Sequence, residues 1–186
     1  MESELLKQLI EQLGSSNWTL KYEAEKTLDK LGSAATDAAL EGLKHANPKV
    51  RRWCADFFDH HGDDRCVPAL IALTDDPIDR VRWQAIHSLA CQRCKATPLT
   101  ADLTDLLIQK ATNDPSLKVQ GMAVFGMASQ PQSEKVMAFL QGLIAQLASQ
   151  VPLPKQQWAL LRGARYALAL QRRGEVFCKS GLKRMA

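Results

Sequence analysis

The chain has no apolar run approaching the roughly 20 residues that span a bilayer. It also has no basic-then-apolar leader, since it begins MESELLKQLIEQLG, which is acidic and amphipathic. Neither a membrane-crossing helix nor a secretory leader is expected, and the expected compartment is the cytoplasm. The five cysteines at 54, 66, 91, 94 and 178 are an odd number, which argues against a disulfide framework and suits a reducing compartment. No stretch alternates apolar and polar residues strictly enough to argue for strands. There is no nucleotide-binding loop and no Gly-x-Ser-x-Gly nucleophile elbow, so neither chemistry is indicated. At 46% hydrophobic and 24% charged, the composition is that of a folded globular chain, and 186 residues can make one compact domain or one continuous array.

What is present is a recurrence. Stretches beginning at Asn17, Asn47, Asp76 and Asp114 each carry an aliphatic residue, a small residue four later and a large apolar residue four after that. The sets are Leu20/Ala24/Leu28, Val50/Cys54/Phe58, Val81/Ala85/Leu89 and Val119/Ala123/Met127, with a weaker fifth at Leu160/Ala164/Leu168. Such self-similarity is the signature of a repeat array. The aliphatic residues recur after 30, 31 and 38 residues, the last interval being lengthened by an insertion around Cys94 to Thr100. Four-residue steps give the helical period. Between these helices lie amphipathic segments at Glu4–Gly14, Ala34–Ala46, Arg65–Thr74, Thr100–Thr112 and Ser133–Ser149, so the unit is a helical hairpin and about five are expected. Asn47-Pro48, Asp76-Pro77 and Asp114-Pro115 are each predicted to supply an N-cap and a proline at the first helical position. Gly14, Gly32 and Gly62 fall where C-terminal caps belong.

The hairpin length, the Asp/Asn-Pro turn and a Val-Arg-x-x-Ala-x-x-x-Leu second helix resemble HEAT repeats, especially the short HEAT-like repeats of the phycobilisome-lyase type. Asp76 to Leu89 carries the motif best, with Val81, Arg82 and Ala85 on it, and Asn47 with Val50 and Arg51 follows closely. The resemblance implies an all-α, right-handed α-solenoid over residues 1–174, with 175–186 a basic C-terminal tail. It also implies that Asn47, Arg51, Asp76 and Arg82 are scaffold, hydrogen-bonding between stacked units. In the fourth unit Gln120 replaces the arginine, and in the fifth Val-Pro-Leu-Pro replaces the aspartate turn, so the polar ladder is expected to weaken there.

In HEAT-like arrays the second helix of each hairpin lines the concave surface. Helical geometry places the residues two and six positions after the aliphatic one opposite the core. The first position reads Tyr22, Arg52, Trp83, Gly121 and Arg162; the second reads Lys26, Asp56, His87, Phe125 and Tyr166. Aromatics and arginines concentrate at interface hot spots. In the last hairpin Trp158, Arg162, Arg165 and Arg173 share one face, while Lys179, Lys183 and Arg184 add charge in the tail. The chain is polarised: residues 1–117 hold 14 basic and 18 acidic side chains, and 118–186 hold 10 and 2. The expected function is therefore that of a non-catalytic adaptor, with a protein partner, acidic in character, held by Tyr22, Arg52, Trp83, His87, Phe125, Trp158, Arg162, Arg165, Tyr166 and Arg173. Two further uses of that charge stay open: nucleic acid along the same groove, and head-to-tail self-association.

No cofactor is expected. Cys91-Gln92-Arg93-Cys94 is the one metal or redox spelling, and a zinc site shared with His60 or His61, and with Cys66, is weighed against free thiols, which the unusual spacing favours. By architectural analogy, some alkylpurine DNA glycosylases are HEAT-like and use tryptophans, an arginine and an aspartate. Here Asp56, beside Arg52 and Trp83, is the carboxylate so placed. Bilin-lyase subunits also use this repeat type, but the repeat itself carries no bilin chemistry. No His-Glu helix pairs of the kind found in iron-binding HEAT-like hydroxylases occur.

Overall fold

Each predicted repeat folds as a pair of helices. In this computed structural model, residues 2–92, 94, 95, 97–178 and 181–184 are described. The pairs are α1 (Glu2–Gln12) with α2 (Trp18–Leu31), α3 (Thr36–Gly42) with α4 (Pro48–His61), α5 (Val67–Leu73) with α6 (Asp79–Ala90), α7 (Thr104–Asn113) with α8 (Leu117–Met127), and α9 (Glu134–Ala148) with α10 (Trp158–Arg173). Among the described residues no helix is long and apolar enough to cross a membrane. Two compact units divide the chain: Met1–Leu89 with Lys95–Thr100, and Ala90–Cys94 with Ala101–Ala186.

Capping explains the starts of α2 and α4. The Asn17 carboxamide accepts from the backbone N–H groups of Thr19 and Leu20, and that of Asn47 accepts from Lys49 N, with Pro48 opening α4. Asp76 and Asp114 differ from the expectation. Their carboxylates accept from Ile78 N and Ser116 N, and the helices begin only at Asp79 and Leu117, so these aspartates cap the bend leading into the helix. Gly32 does close α2 in the positive-φ region, at φ 54, whereas Gly62 follows α4 at φ −71 in extended backbone.

In the first unit α1 packs on α2, α3 and α4, and α4 also packs on α2 and α3. The repeat triads form the core, with Ala24, Val50, Cys54, Phe58, Ala85 and Leu89 sealed from solvent or nearly so. Leu20 is the exception at 46% exposed. It lies in the first turn of α2, and spacing alone cannot show that no neighbouring element covers that turn. The small-residue slot has a steric cause: a Cβ on Gly42 of α3 would come within 2.3 Å of Cys54 Sγ, so α3 and α4 approach too closely for larger side chains. The insertion is pinned within this unit. Buried Lys95 brings Nζ to 3.7 Å from Asp59 Oδ1, and Thr100 donates from its backbone N and its hydroxyl to the Asp64 carboxylate at 2.9 and 2.7 Å.

Arg51 and Asp76 bond between hairpins as the resemblance implied, whereas Asn47 caps its own helix. Arg51 donates to both carboxylate oxygens of Asp76 at 2.6 and 3.0 Å and to the turn carbonyls of His45 and Ala46 at 2.8 and 2.9 Å. Arg82 repeats the second half of this pattern, donating to the carbonyls of Asp76 and Pro77. Gln120 keeps it too: its amide donates to Asp114 O at 2.7 Å, so the substitution preserves the bond to the turn carbonyl. No aspartate turn follows in the fifth hairpin, and a neutral amide there leaves no half-buried cation without a counterion.

In the second unit α7 packs on α8 and α9, and α10 packs on α8 and α9. The joint between α10 and the α8–α9 connection is a buried amide that the repeat pattern did not reveal. Gln171 donates to the carbonyls of Met127, Gln130 and Pro131 at 2.9, 3.1 and 3.2 Å and accepts from Ser133 N at 2.9 Å. Gly174 closes α10 at φ 61. In the segment read as a tail, β1 (Glu175–Cys178) pairs antiparallel with β2 (Gly181–Arg184), Glu175 opposite Arg184. These strands were not expected, because four residues are too few to show alternation. Lys179 lies outside the described residues, as do the side chains of Lys183 and Arg184.

Arg51→Ala is expected to lose about 3–5 kcal/mol of stability, because it strands the buried Asp76 carboxylate. Gln171→Leu is expected to lose about 2–3 kcal/mol by leaving backbone groups unsatisfied. Urea denaturation of each variant checks both values.

Candidate functional site

The second unit presents a helix face. On α10, Leu160, Leu161, Ala164, Ala167, Leu168 and Leu170 are buried, and their period turns Trp158, Arg162, Arg165, Tyr166 and Arg173 outward, all of them exposed. Trp158 is 55% exposed, and its indole N–H donates to Leu153 O at 3.2 Å, which orients the ring. Arg162 and Arg165 have no hydrogen-bond or ion-pair partner among the described residues. Arg173 is more engaged: Nε donates to Ala169 O at 3.1 Å and lies 3.6 Å from Glu175 Oε2. Phe125 on α8 is also exposed.

The first unit uses its predicted residues differently. Tyr22 is exposed and stacks on Trp18, with centroids 5.0 Å apart. Arg52 is half-buried, its guanidinium carbon 4.9 Å from the centroid of Trp53. Trp83 and His87 are half-buried and stack on each other at 5.3 Å, and His87 Nδ1 lies 3.7 Å from Asp59 Oδ1. Much of the surface of Arg52, Trp83 and His87 is therefore spent on internal packing.

Sequence reasoning did not find a cavity between α2 and α4. A space of about 290 Å³ is walled by Tyr22, Trp53 and Phe57, edged by Glu25, Asp29 and Asp56, and floored by Leu28 and Cys54. Glu25, Trp53 and Phe57 lie off the two outward positions used to read the helices. Their signal was available only in the i, i+4 pairing of Trp53 with Phe57 on α4. Burial raises the Asp56 carboxyl above its ordinary range, Asp59 adds to the rise, and His60, Arg52 and His87 oppose it. Glu25 is likewise raised by burial; Lys21 and Arg52 oppose the rise, while Asp56 and Asp29 reinforce it.

The Cys54 and Cys66 thiols are not poised for chemistry. Burial pushes Cys54 up to about 12 and Cys66 up to about 11. Cys91 and Cys94 bring their sulfurs within 3.6 Å of each other. His61 is engaged elsewhere, with Nε2 2.7 Å from Asp29 Oδ1, and among the described residues neither His60 nor His61 joins any set of three atoms able to hold a metal ion.

A family model described as HEAT repeats matches residues 36–102. No curated protein gives a significant sequence match. Among solved structures, the crystal structure of an engineered protein is similar at 18% identity and a TM-score of 0.52, covering 91% of this chain and 80% of that one. A designed armadillo repeat protein aligns at 15% identity with a TM-score of 0.44, covering 89% and 99%.

The raised carboxyls make a pH prediction with a definite sign. A carboxyl whose folded pKa is raised contributes stability that is complete below its unfolded pKa and lost as pH rises through the folded value. At neutral pH the ionised Asp56 therefore opposes folding. Asp56→Asn is expected to melt at a higher temperature than wild type at pH 7, with the advantage vanishing as pH falls to about 3. Thermal melts across that range check it.

Proposed function

On the premise that residues 36–102 carry HEAT repeats in an all-α helical-repeat chain, we propose that the protein is a non-catalytic adaptor that binds an acidic protein segment on the outward face of α10. The observation that carries this reading is the pairing of Arg162 and Arg165, without hydrogen-bond or ion-pair partners among the described residues, with exposed Trp158 and Tyr166 on one helix face. Exposed cations without counterions attract carboxylates. Flanking aromatic rings add apolar area and exclude water from the pairs, which raises their worth. The second unit holds 12 basic and 5 acidic residues, so its field favours an anionic partner.

Phosphates would be drawn by the same charges, which is why nucleic acid is the second reading. A protein partner is the first reading because two arginines, Arg162 and Arg165, can neutralise few phosphates, whereas nucleic-acid affinity grows with the number neutralised.

The test is a salt-titrated anisotropy assay against a fluorescent Asp/Glu-rich peptide containing leucine and phenylalanine, with single- and double-stranded DNA in parallel. Binding of the peptide, weakened at least ~10-fold by Arg162→Glu with Arg165→Glu and also weakened by Trp158→Ala, is the expected outcome. DNA binding with a steep salt slope and no peptide binding would replace the protein partner with nucleic acid.

A further inference from the structure

The cavity between α2 and α4 holds two carboxylates that nothing neutralises directly. Glu25 comes from α2 and Asp56 from α4, and both are half-buried. Among the described residues neither makes a hydrogen bond or an ion pair. Asp29 at the edge is occupied by His61, and behind Asp56 the buried Asp59 adds negative charge. Removing ionised carboxylates from water without a partner is costly. A folded chain that keeps two of them on one cavity has a standing demand for a cation.

Three cations of the unit stand close without meeting that demand. Lys21 Nζ lies 3.9 Å and Arg52 Cζ 4.9 Å from the Trp53 centroid, and Lys26 Nζ lies 5.2 Å from the Tyr22 ring. They cover aromatic faces, and none reaches Glu25 or Asp56 within ion-pair distance. Lys26 itself lines the cavity, yet these cations are spent on ring faces and leave both carboxylates without an ion pair among the described residues. A bare metal ion does not fit: among the described residues, Glu25, Asp29 and Asp56 belong to no set of three ligand atoms close enough to coordinate one. The volume, about 290 Å³, suits one side chain. Of the two cationic side chains, arginine matches better, because its planar, weakly hydrated guanidinium stacks on rings and pairs with carboxylates by forked hydrogen bonds.

We propose that the α2–α4 cavity receives one arginine side chain from an extended segment of a partner protein, its guanidinium paired with Glu25 and Asp56. The site is independent of the α10 face. Binding strengthens as pH rises through the titration of the two carboxyls, with Lys21, Lys26, Arg52, Asp29, Asp59, His60 and His87 as the surrounding charges.

The experiment uses the full chain and a fluorescent, otherwise uncharged peptide with one central arginine. The control peptide carries citrulline, which has the same shape and no charge. Anisotropy at pH 7 should show the arginine peptide bound at least ~10-fold tighter than citrulline, with Asp56→Asn and Glu25→Gln each removing at least ~10-fold. Arg162→Glu with Arg165→Glu should leave this binding unchanged, which separates its failure from failure of the adaptor reading. The Asp56→Asn melt is the structural control, expected no lower than wild type at pH 7. Equal binding of the two peptides, no binding at ~1 mM, unchanged affinity in both carboxylate variants, or a lowered Asp56→Asn melt would each overturn the proposal.

Discussion

The half-exposed turns between helices are held by arginine. Arg51 is committed at four points, two on the Asp76 carboxylate of the next hairpin and two on carbonyls of its own turn. A turn with outward-pointing carbonyls would otherwise leave acceptors to be satisfied by water at the place where hairpins must stack. One planar group with several donors solves both problems, and only the forked geometry of guanidinium can do so with a single side chain. The sliding and tilting of one hairpin on the next is thereby restricted before apolar packing is counted.

Where the motif is modified, the chemistry adjusts in a consistent way. Gln120 satisfies the turn carbonyl of its own bend and carries no charge, in keeping with a following hairpin that offers no aspartate. In the last hairpin a buried amide makes the joint, as Gln171 gathers three carbonyls and one N–H. The arginines of α10 are consequently not consumed by the scaffold. Arginine near the N-terminal repeats is a structural fastener, whereas Arg162 and Arg165 are left with solvent. The same residue type serves two ends because its partners differ.

The repeat triads, the helix pairs and the scaffold role of Arg51 and Arg82 were legible in the sequence, since each follows from spacing on a helix or from the turn motif. Of the outward ladder, exposure was legible for Tyr22, Phe125, Trp158, Arg162, Arg165 and Tyr166. It was not legible for Arg52, Trp83 and His87, which turn onto neighbouring rings and charges. A helical wheel gives direction but not what lies in that direction. The cavity beside Glu25 and Asp56 went unread for the same reason: its walls come from two helices whose sequence positions lie about 30 residues apart.

The sequence by itself determined the helix pairs, the repeat length and, Leu20 apart, the identity of the buried triads, because these depend on local period and on the size of single side chains. The tertiary structure alone decided how the other charges are placed. Beyond the turn motif that marks Arg51 and Asp76, nothing in the letters shows that Arg52 lies against Trp53 or that Asp56 faces a cavity. Whether a charge is buried against a partner, stacked on a ring or left facing a cavity depends on the distance between elements remote in the chain, and electrostatic energy is set by that distance and by access to water.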